Sequence, residues 1–503
     1  MERTGELSTY KKTLFLGLVS LTLGILATWF FFDKQLGVNY LLFILCVTLG
    51  ALILAYVFVK QVSTEQYVLI ALTLFFALMI FVRASELLTF FNFVMSALLA
   101  FITVRSCTGR SIRTFLPINY IESFFLPLSF IGPLWSTFPE LFAFRKSAED
   151  NSRSKEVARG SLMAVIAVVI FSALFASADQ VFDSMLGKFF SFDETTLPRV
   201  IFTVIVTAFF IGAFGYLFKK IHAGLAPAAP GSVRSLGSIE TSILLGAINL
   251  LFLVFIGFQF AYLFGGNDHV LVQGLTYADY ARKGFFELVI VAILSYLIIS
   301  VSEKQIVKGE RGHLRSFKFL SSVLVGEIVI ILISAFMRLS LYESAYGFTV
   351  IRLYSHGFMI WLALALAFLA VSIWQSGKRE AFALYTFTSV LLFLFIMNVL
   401  NPDAFIAKQN IERYRVSGKI DANYLGHLSS DAIPYTVTLL DDPQVAVHSD
   451  FAWGINSRYY EDRPYVWQEA NLSKDRARRL LIPKEEQIEE YRHTFSLPDP
   501  DPL

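Results

Sequence analysis

Charge is scarce in this chain. Only 16% of its 503 residues are Asp, Glu, Lys or Arg, against 55% hydrophobic, and the mean hydropathy is +0.60. Ordinary soluble domains carry roughly 25% charged residues, so a water-soluble globular chain is excluded. Cysteine is scarcer still. Cys46 lies in an apolar run and Cys107 in a basic loop, which rules out a disulfide framework, and no C-x-x-C or Cys/His spacing suggests structural zinc. The signatures H-E-x-x-H, G-x-S-x-G, the P-loop and the Rossmann fingerprint are all missing. No fixed-period repeat and no pair of interrupted helices suggests an inverted-repeat transporter. A formal charge of +2, from 42 basic and 40 acidic residues, gives no reason to expect a nucleic-acid partner.

What is abundant is apolar length. The 51 Phe and 21 Tyr exceed what a soluble core accommodates, whereas lipid-facing helices take them readily. Runs long enough to cross a bilayer, about 17 to 25 residues, fall at 13–32, 41–59, 66–82, 88–104, 160–176, 200–218, 242–264, 284–301, 319–337, 353–374 and 382–400. The expected fold is therefore all-α: a polytopic transmembrane bundle of about 11 spans over residues 1–400. Residues 401–503 form an acidic extramembrane helical tail, with 12 basic and 17 acidic side chains against 30 and 23 in the rest. The first run follows Lys11 and Lys12 as a signal peptide would, but it ends in Trp29-Phe30-Phe31-Phe32 with no small-residue cleavage site, so it is read as an anchor.

Segment 114–144 is apolar but broken by Pro117, Pro127, Pro133 and Pro139, which a continuous helix does not tolerate. If it is interfacial or re-entrant, the N-terminus and the loops on its side hold 22 Lys and Arg, and the other side holds 8. If it crosses, the same charges divide 13 to 17. The positive-inside rule selects the first arrangement, with the N-terminus cytoplasmic and the tail extracytoplasmic. In the tail, a helix is expected from Asp403 to Val416, ending near Gly418. Asp431 is expected to cap a helix with Pro434 in its first turn, and Ser473 to cap one over Lys474 to Ile482 that Pro483 stops.

With this orientation the polar residues near the outer ends of the spans gather on one side: Asp179, Asp279, Tyr280, Arg338, Tyr342, Glu343, Tyr346 and Arg352. Arginine presents a planar fork to phosphate or carboxylate, so the set suits a lipid headgroup or a polar solute. It equally suits ion pairs and tyrosine anchors tying short loops together, with Glu343 and Arg338 paired across a loop. Glu327 falls near the middle of its span, where a carboxylate must be protonated, paired or hydrated. Its options are a functional acid or a neutral one bonded to a neighbouring helix. Arg338 lies eleven residues on, roughly 16 Å along the same face. His356 follows Arg352 by four residues, without companions at metal-ligand spacing. No catalytic residue, metal or cofactor is expected.

Several segments resemble bacterial polytopic membrane proteins of the family called domain of unknown function 4173, related to 4153. They are LGVN at 36–39, FASADQVF at 175–182, IETSILLGAINLLFLVFIGFQFAYLFGG at 239–266, YADYARKGFFELV at 277–289, LYESAYGFTVIRLY at 341–354, NPDAFIAKQNIERY at 401–414 and WQEANLSKDRARRLL at 467–481. The resemblance implies a bacterial cytoplasmic membrane and this architecture, and carries no functional residue. The best reading is a non-enzymatic sensor or assembly component with an outer polar site. Its partners are membrane lipids and another membrane or envelope protein. The alternative is a secondary transporter using Glu327. An enzyme acting on a lipid-linked substrate is the third and weakest reading.

Overall fold

The computed structural model describes residues 9–58, 60–107, 111–141, 196–218, 238–264, 311–375, 379–459 and 466–494, with isolated positions at 160–171 and 290–299. All regular structure among these residues is helical. The membrane helices are α1 (Thr9–Phe31), α2 (Val38–Val57), α3 (Thr64–Val82), α4 (Glu86–Ser106), α7 (Thr196–Phe218), α8 (Ser238–Phe264), α9 (Arg311–Tyr346), α10 (Val350–Trp374) and α11 (Arg379–Leu400). Each holds a stretch long and apolar enough to cross a bilayer, giving nine candidate spans among the described residues. The runs at 160–176 and 284–301 lie outside them apart from isolated helical positions.

Hydropathy places the helix ends well, with one exception. The ninth run ends at position 337, where Arg338 interrupts it, yet α9 continues to Tyr346 and begins at Arg311. Thirty-six residues span ~54 Å, so α9 extends beyond a hydrocarbon core of ~30 Å. Residues 338–346 are thus the closing turns of a helix rather than a loop. The true turn between α9 and α10 is only Gly347-Phe348-Thr349, opened by Gly347 at φ +84°.

Neighbouring helices follow the order α7, α1, α2, α3, α4, α11, α10, α9, α8. In lipid the hydrophobic effect does not drive such packing, so close approach and polar contacts must do so. At Gly24 an added Cβ would lie 2.0 Å from Thr207 Oγ1, and Thr28 shares a 2.7 Å hydrogen bond with Thr203. Asn92 of α4 and Asn398 of α11 are buried and exchange reciprocal amide hydrogen bonds of 2.9 and 2.8 Å.

Segment 114–144 begins as two short helices, α5 (Pro117–Phe124) and α6 (Ile131–Leu141), joined by a 3₁₀ turn over Leu126–Phe130. Leu141 packs at Gly17 near the start of α1, while Phe130 and Pro133 meet Gly212 and Gly215 of α7. Arg105 at the end of α4 pairs with Glu122 of α5. These pieces therefore lie toward the end of the bundle that carries the start of α1, the α2–α3 turn and the end of α4.

The tail comprises α12 (Pro402–Ser417), α13 (Ala422–Gly426), α14 (Ile433–Thr436), α15 (Val445–Tyr459), α16 (Leu472–Leu481) and α17 (Glu485–Thr494). It has its own core, with Ile406, Ala407, Leu440, Phe451, Ile455 and Ile488 fully buried. Gly418, at φ +65°, closes α12 as expected. Two other expected caps are corrected. Asp431 makes no cap hydrogen bond to α14, which starts after Ala432. It is Asn471, not Ser473, that caps α16, accepting from Lys474 N at 3.0 Å. Both displaced side chains serve the junction described next.

Candidate functional site at the capped end of the bundle

The tail lies across the turns at one end of the bundle, and its polar side chains finish hydrogen bonds that those turns leave open. Asp431 is the centre, at 3% exposure. Its Oδ2 accepts from Ala84 N at 2.7 Å and Ser85 N at 3.1 Å. These amides open α4, whose N-cap residue Ser85 supplies no side-chain bond of its own. A carboxylate there satisfies orphan donors and faces the positive end of the helix dipole. Oδ1 accepts from Asn401 Nδ2 at 3.2 Å and from the Ser473 hydroxyl, with Arg83 Nη1 3.8 Å away. Arg83 also donates through Nε and Nη2 to Asn398 O at 2.9 and 2.6 Å. Asn471 reaches back to Ile80 O and Arg83 O at the end of α3. Four elements distant in sequence thus converge on one turn.

The α1–α2 turn is held likewise. Asn39, fully buried, accepts from Gly37 N and donates to Phe30 O and Gln35 O, which folds the turn tightly. Val38 N then donates to Ala470 O at 2.9 Å. A Cβ on Gly37 would come within 2.6 Å of the Glu469 backbone, so only glycine lets the two chains approach. Trp467 covers the joint against Trp29 and Phe30.

At the α9–α10 turn, Asn410 of α12 bonds both backbone groups of Phe348, at 2.9 and 2.8 Å. The Tyr424 hydroxyl accepts from Val350 N at 2.9 Å, and burial raises its pKa, so it stays protonated. Arg413 donates to Ala345 O at 2.5 Å.

The residues singled out from sequence fall partly here. Arg352 donates to Gly347 O and stacks over the Tyr342 ring at 4.1 Å, a cation–π contact. Glu343 Oε2 lies 3.5 Å from His356 Nδ1, and His356 Nε2 lies 3.2 Å from Ser340 Oγ. Arg338 is on the same helix, eleven residues or about three turns beyond Glu327. Asp179, Asp279 and Tyr280 lie outside the described residues. Glu327 is deep in the bundle, 4% exposed, with neither carboxylate oxygen hydrogen-bonded among the described residues. Its flanking residues Leu324, Val325 and Ile328 belong to the apolar core of α8, α9 and α10.

A hydroxyl, imidazole and carboxylate in sequence invite a nucleophilic reading. Ser340, however, sits inside continuous α9 and donates to Phe336 O at 2.9 Å. Backbone amides in a helix interior are consumed by the helix, so they cannot converge on a carbonyl to stabilise an oxyanion. His356 with Glu343 also falls short of the three or four donors a metal takes. The arrangement ties α9 to α10. Sequence reasoning missed the role of the side chains that organise this end: Arg83, Asn410, Asp431 and Asn471. Their partners are backbone atoms between 62 and 391 residues away, and no local pattern marks those pairings.

No curated protein and no solved structure matches the chain. The model of a family described as domain of unknown function (DUF4153) matches residues 70–439. That stretch runs from α3 through most of the membrane body and into the tail core, and with it the helical, membrane-spanning chain belongs to that family.

Proposed function

We propose that this protein is a non-enzymatic, multi-pass component of the bacterial cytoplasmic membrane, working as a sensor or assembly partner through its capped face. Kinship with family 4173 is part of the same proposal. The N-terminus is cytoplasmic and the cap external, as the distribution of Lys and Arg argues.

One observation carries the reading: the tail fastens the α3–α4 turn through Asp431 and the α9–α10 turn through Asn410 and Tyr424. Alternating access works by rocking one set of helices against another, and a cap hydrogen-bonded to both sets opposes separation at that end. A folded cap held in fixed register instead presents a constant surface to a second envelope protein.

Val416, 91% exposed on the cap, offers the test. A Val416→Cys variant should react with a membrane-impermeant maleimide in intact cells. A photo-cross-linker at neighbouring exposed cap positions should give one discrete protein adduct. Labelling only after lysis reverses the compartment and removes the reading; so does the absence of any adduct across the cap.

A specific observation favours a second reading, proton-coupled transport, namely the buried Glu327 carboxylate without a hydrogen-bond partner among the described residues. Under it, Glu327→Gln abolishes proton-coupled uptake in proteoliposomes; uptake that survives the substitution excludes that role.

A further inference from the structure

A cavity of about 480 Å³ lies among α2, α3, α4 and α7, running from the capped α1–α2 turn, where Leu36 lines it, toward the opposite end of the bundle. Its long wall is one face of α2, running from Tyr40 to Ala55, a length of ~22 Å at helical rise. The space exists because side chains facing it are small: Ala51 on α2, Ala97 and Ala100 on α4, and Ala213 on α7. Rings from α4 and α7, among them Phe93 and Phe210, close the sides. The volume is within the range of ligand cavities, roughly 300–1,000 Å³. A lining this apolar rejects a polar solute, whose groups would lose water without gaining partners.

One end differs. Lys60 and Gln61, in the α2–α3 turn, line the cavity where it reaches the end of the bundle opposite the cap. The Lys60 ammonium donates to Leu217 O and lies 5.6 Å from the centroid of Phe218. A cation is thereby fixed at one end of an apolar slot, just beyond the end of α2. Opposite charge at one end and hydrocarbon surroundings along the rest match a single molecule class, which the bilayer itself supplies.

We propose that this cavity holds one acyl chain of an anionic glycerophospholipid whose phosphate is bound at Lys60. The lipid is a resident ligand, seated between helices, and distinct from the annular lipids around α2.

The test uses the full chain reconstituted in nanodiscs of palmitoyl-oleoyl phosphatidylcholine and phosphatidylglycerol at 3:1, then released into detergent for native mass spectrometry. One phosphatidylglycerol per chain should survive release, with phosphatidylcholine lost. Lys60→Gln should reduce that retention at least tenfold. Its thermal unfolding in pure phosphatidylcholine should match wild type, which separates headgroup recognition from folding. Ala97→Trp, and the milder Ala100→Leu, should displace the chain and lower retention of either lipid. The proposal is overturned if no lipid is retained, if detergent takes its place, if both lipids are retained alike, or if Lys60→Gln keeps phosphatidylglycerol as wild type does.

Discussion

The tail and the membrane body are built from the same element and held together differently. In the tail, apolar side chains gather into a closed core: Phe451, Ala452, Ile455 and Ile488 are fully buried in one cluster. In the body, large side chains such as Leu49, Ile243, Leu251 and Ile351 remain more than half exposed, because lipid accepts them. Specificity there comes from glycine contacts, threonine pairs and the Asn92–Asn398 exchange. The boundary between the two regions follows neither rule. It is an array of directional hydrogen bonds in which tail side chains complete membrane-helix turns. An all-helical chain can therefore use three kinds of stabilisation without changing secondary structure.

The sharpest way to break this comparison is at the boundary. Asp431→Ala removes the acceptor for the Ala84 and Ser85 amides that precede α4, for Ser473 and for Asn401, and leaves Arg83 beside an empty site. A loss of about 3–5 kcal/mol is expected for breaking such a buried, charge-assisted set. Trypsin should then cut the tail while the membrane helices stay protected; unchanged tail protection would mean that apolar contacts hold the cap.

Glycine substitutions separate the two regions next. Gly426 and Gly454 cross so closely that a Cβ on Gly426 would meet the Gly454 Cα at 2.7 Å. Gly426→Ala should cost about 1–3 kcal/mol in thermal or denaturant unfolding, as overpacking does. Gly246→Ala, in α8 with nothing within 4 Å of the added atom, should cost nothing. Equal effects would erase the distinction between a closed core and a lipid-facing helix.

Within the body, Asn398→Leu leaves Asn92 without its reciprocal amide while Arg83, which uses the Asn398 backbone oxygen, keeps its partner. A loss near 1 kcal/mol is expected, the size of interhelical hydrogen bonds in membranes, read by steric-trap or detergent unfolding.

The smallest effect is electrostatic. Lys484 donates to Asp441 at 2.6 and 2.7 Å and holds its carboxyl below the ordinary value. A depressed folded pKa gives stability that is present above the unfolded value of about 3.9 and is lost as pH falls through the folded one. Both side chains reach solvent, so the gain is slight. Hydrogen exchange at the α16–α17 joint should differ between wild type and Asp441→Asn at pH 7 and converge once the Asp441 carboxylate is protonated in acid.

Span positions were legible because hydrocarbon demands apolar length, and hydropathy reads that demand directly. α2, α3, α4, α10 and α11 begin or end within a few residues of the runs that mark them. α9 was read short because Arg338 ends the apolar run, although backbone hydrogen bonding continues past it for two turns. The gathering of Tyr342, Glu343 and Arg352 near one turn was also legible from topology. Their individual partners were not: Glu343 meets His356 across a helix pair, and Arg352 folds back on Gly347 and Tyr342. Asp431 and Ser473 show the limit most clearly. Each occupies a spacing that suits a local helix cap, and each is drawn instead to a site that tertiary structure creates.

The Asp431 contact also sets an order of events. Its carboxylate bonds Ser85 N across 346 positions of chain, so at a synthesis rate of roughly 5–20 residues per second α4 waits on the order of tens of seconds for its acceptor. Through that interval the turn before α4 is without this acceptor. Only when translation has passed the acid can the junction between tail and bundle close.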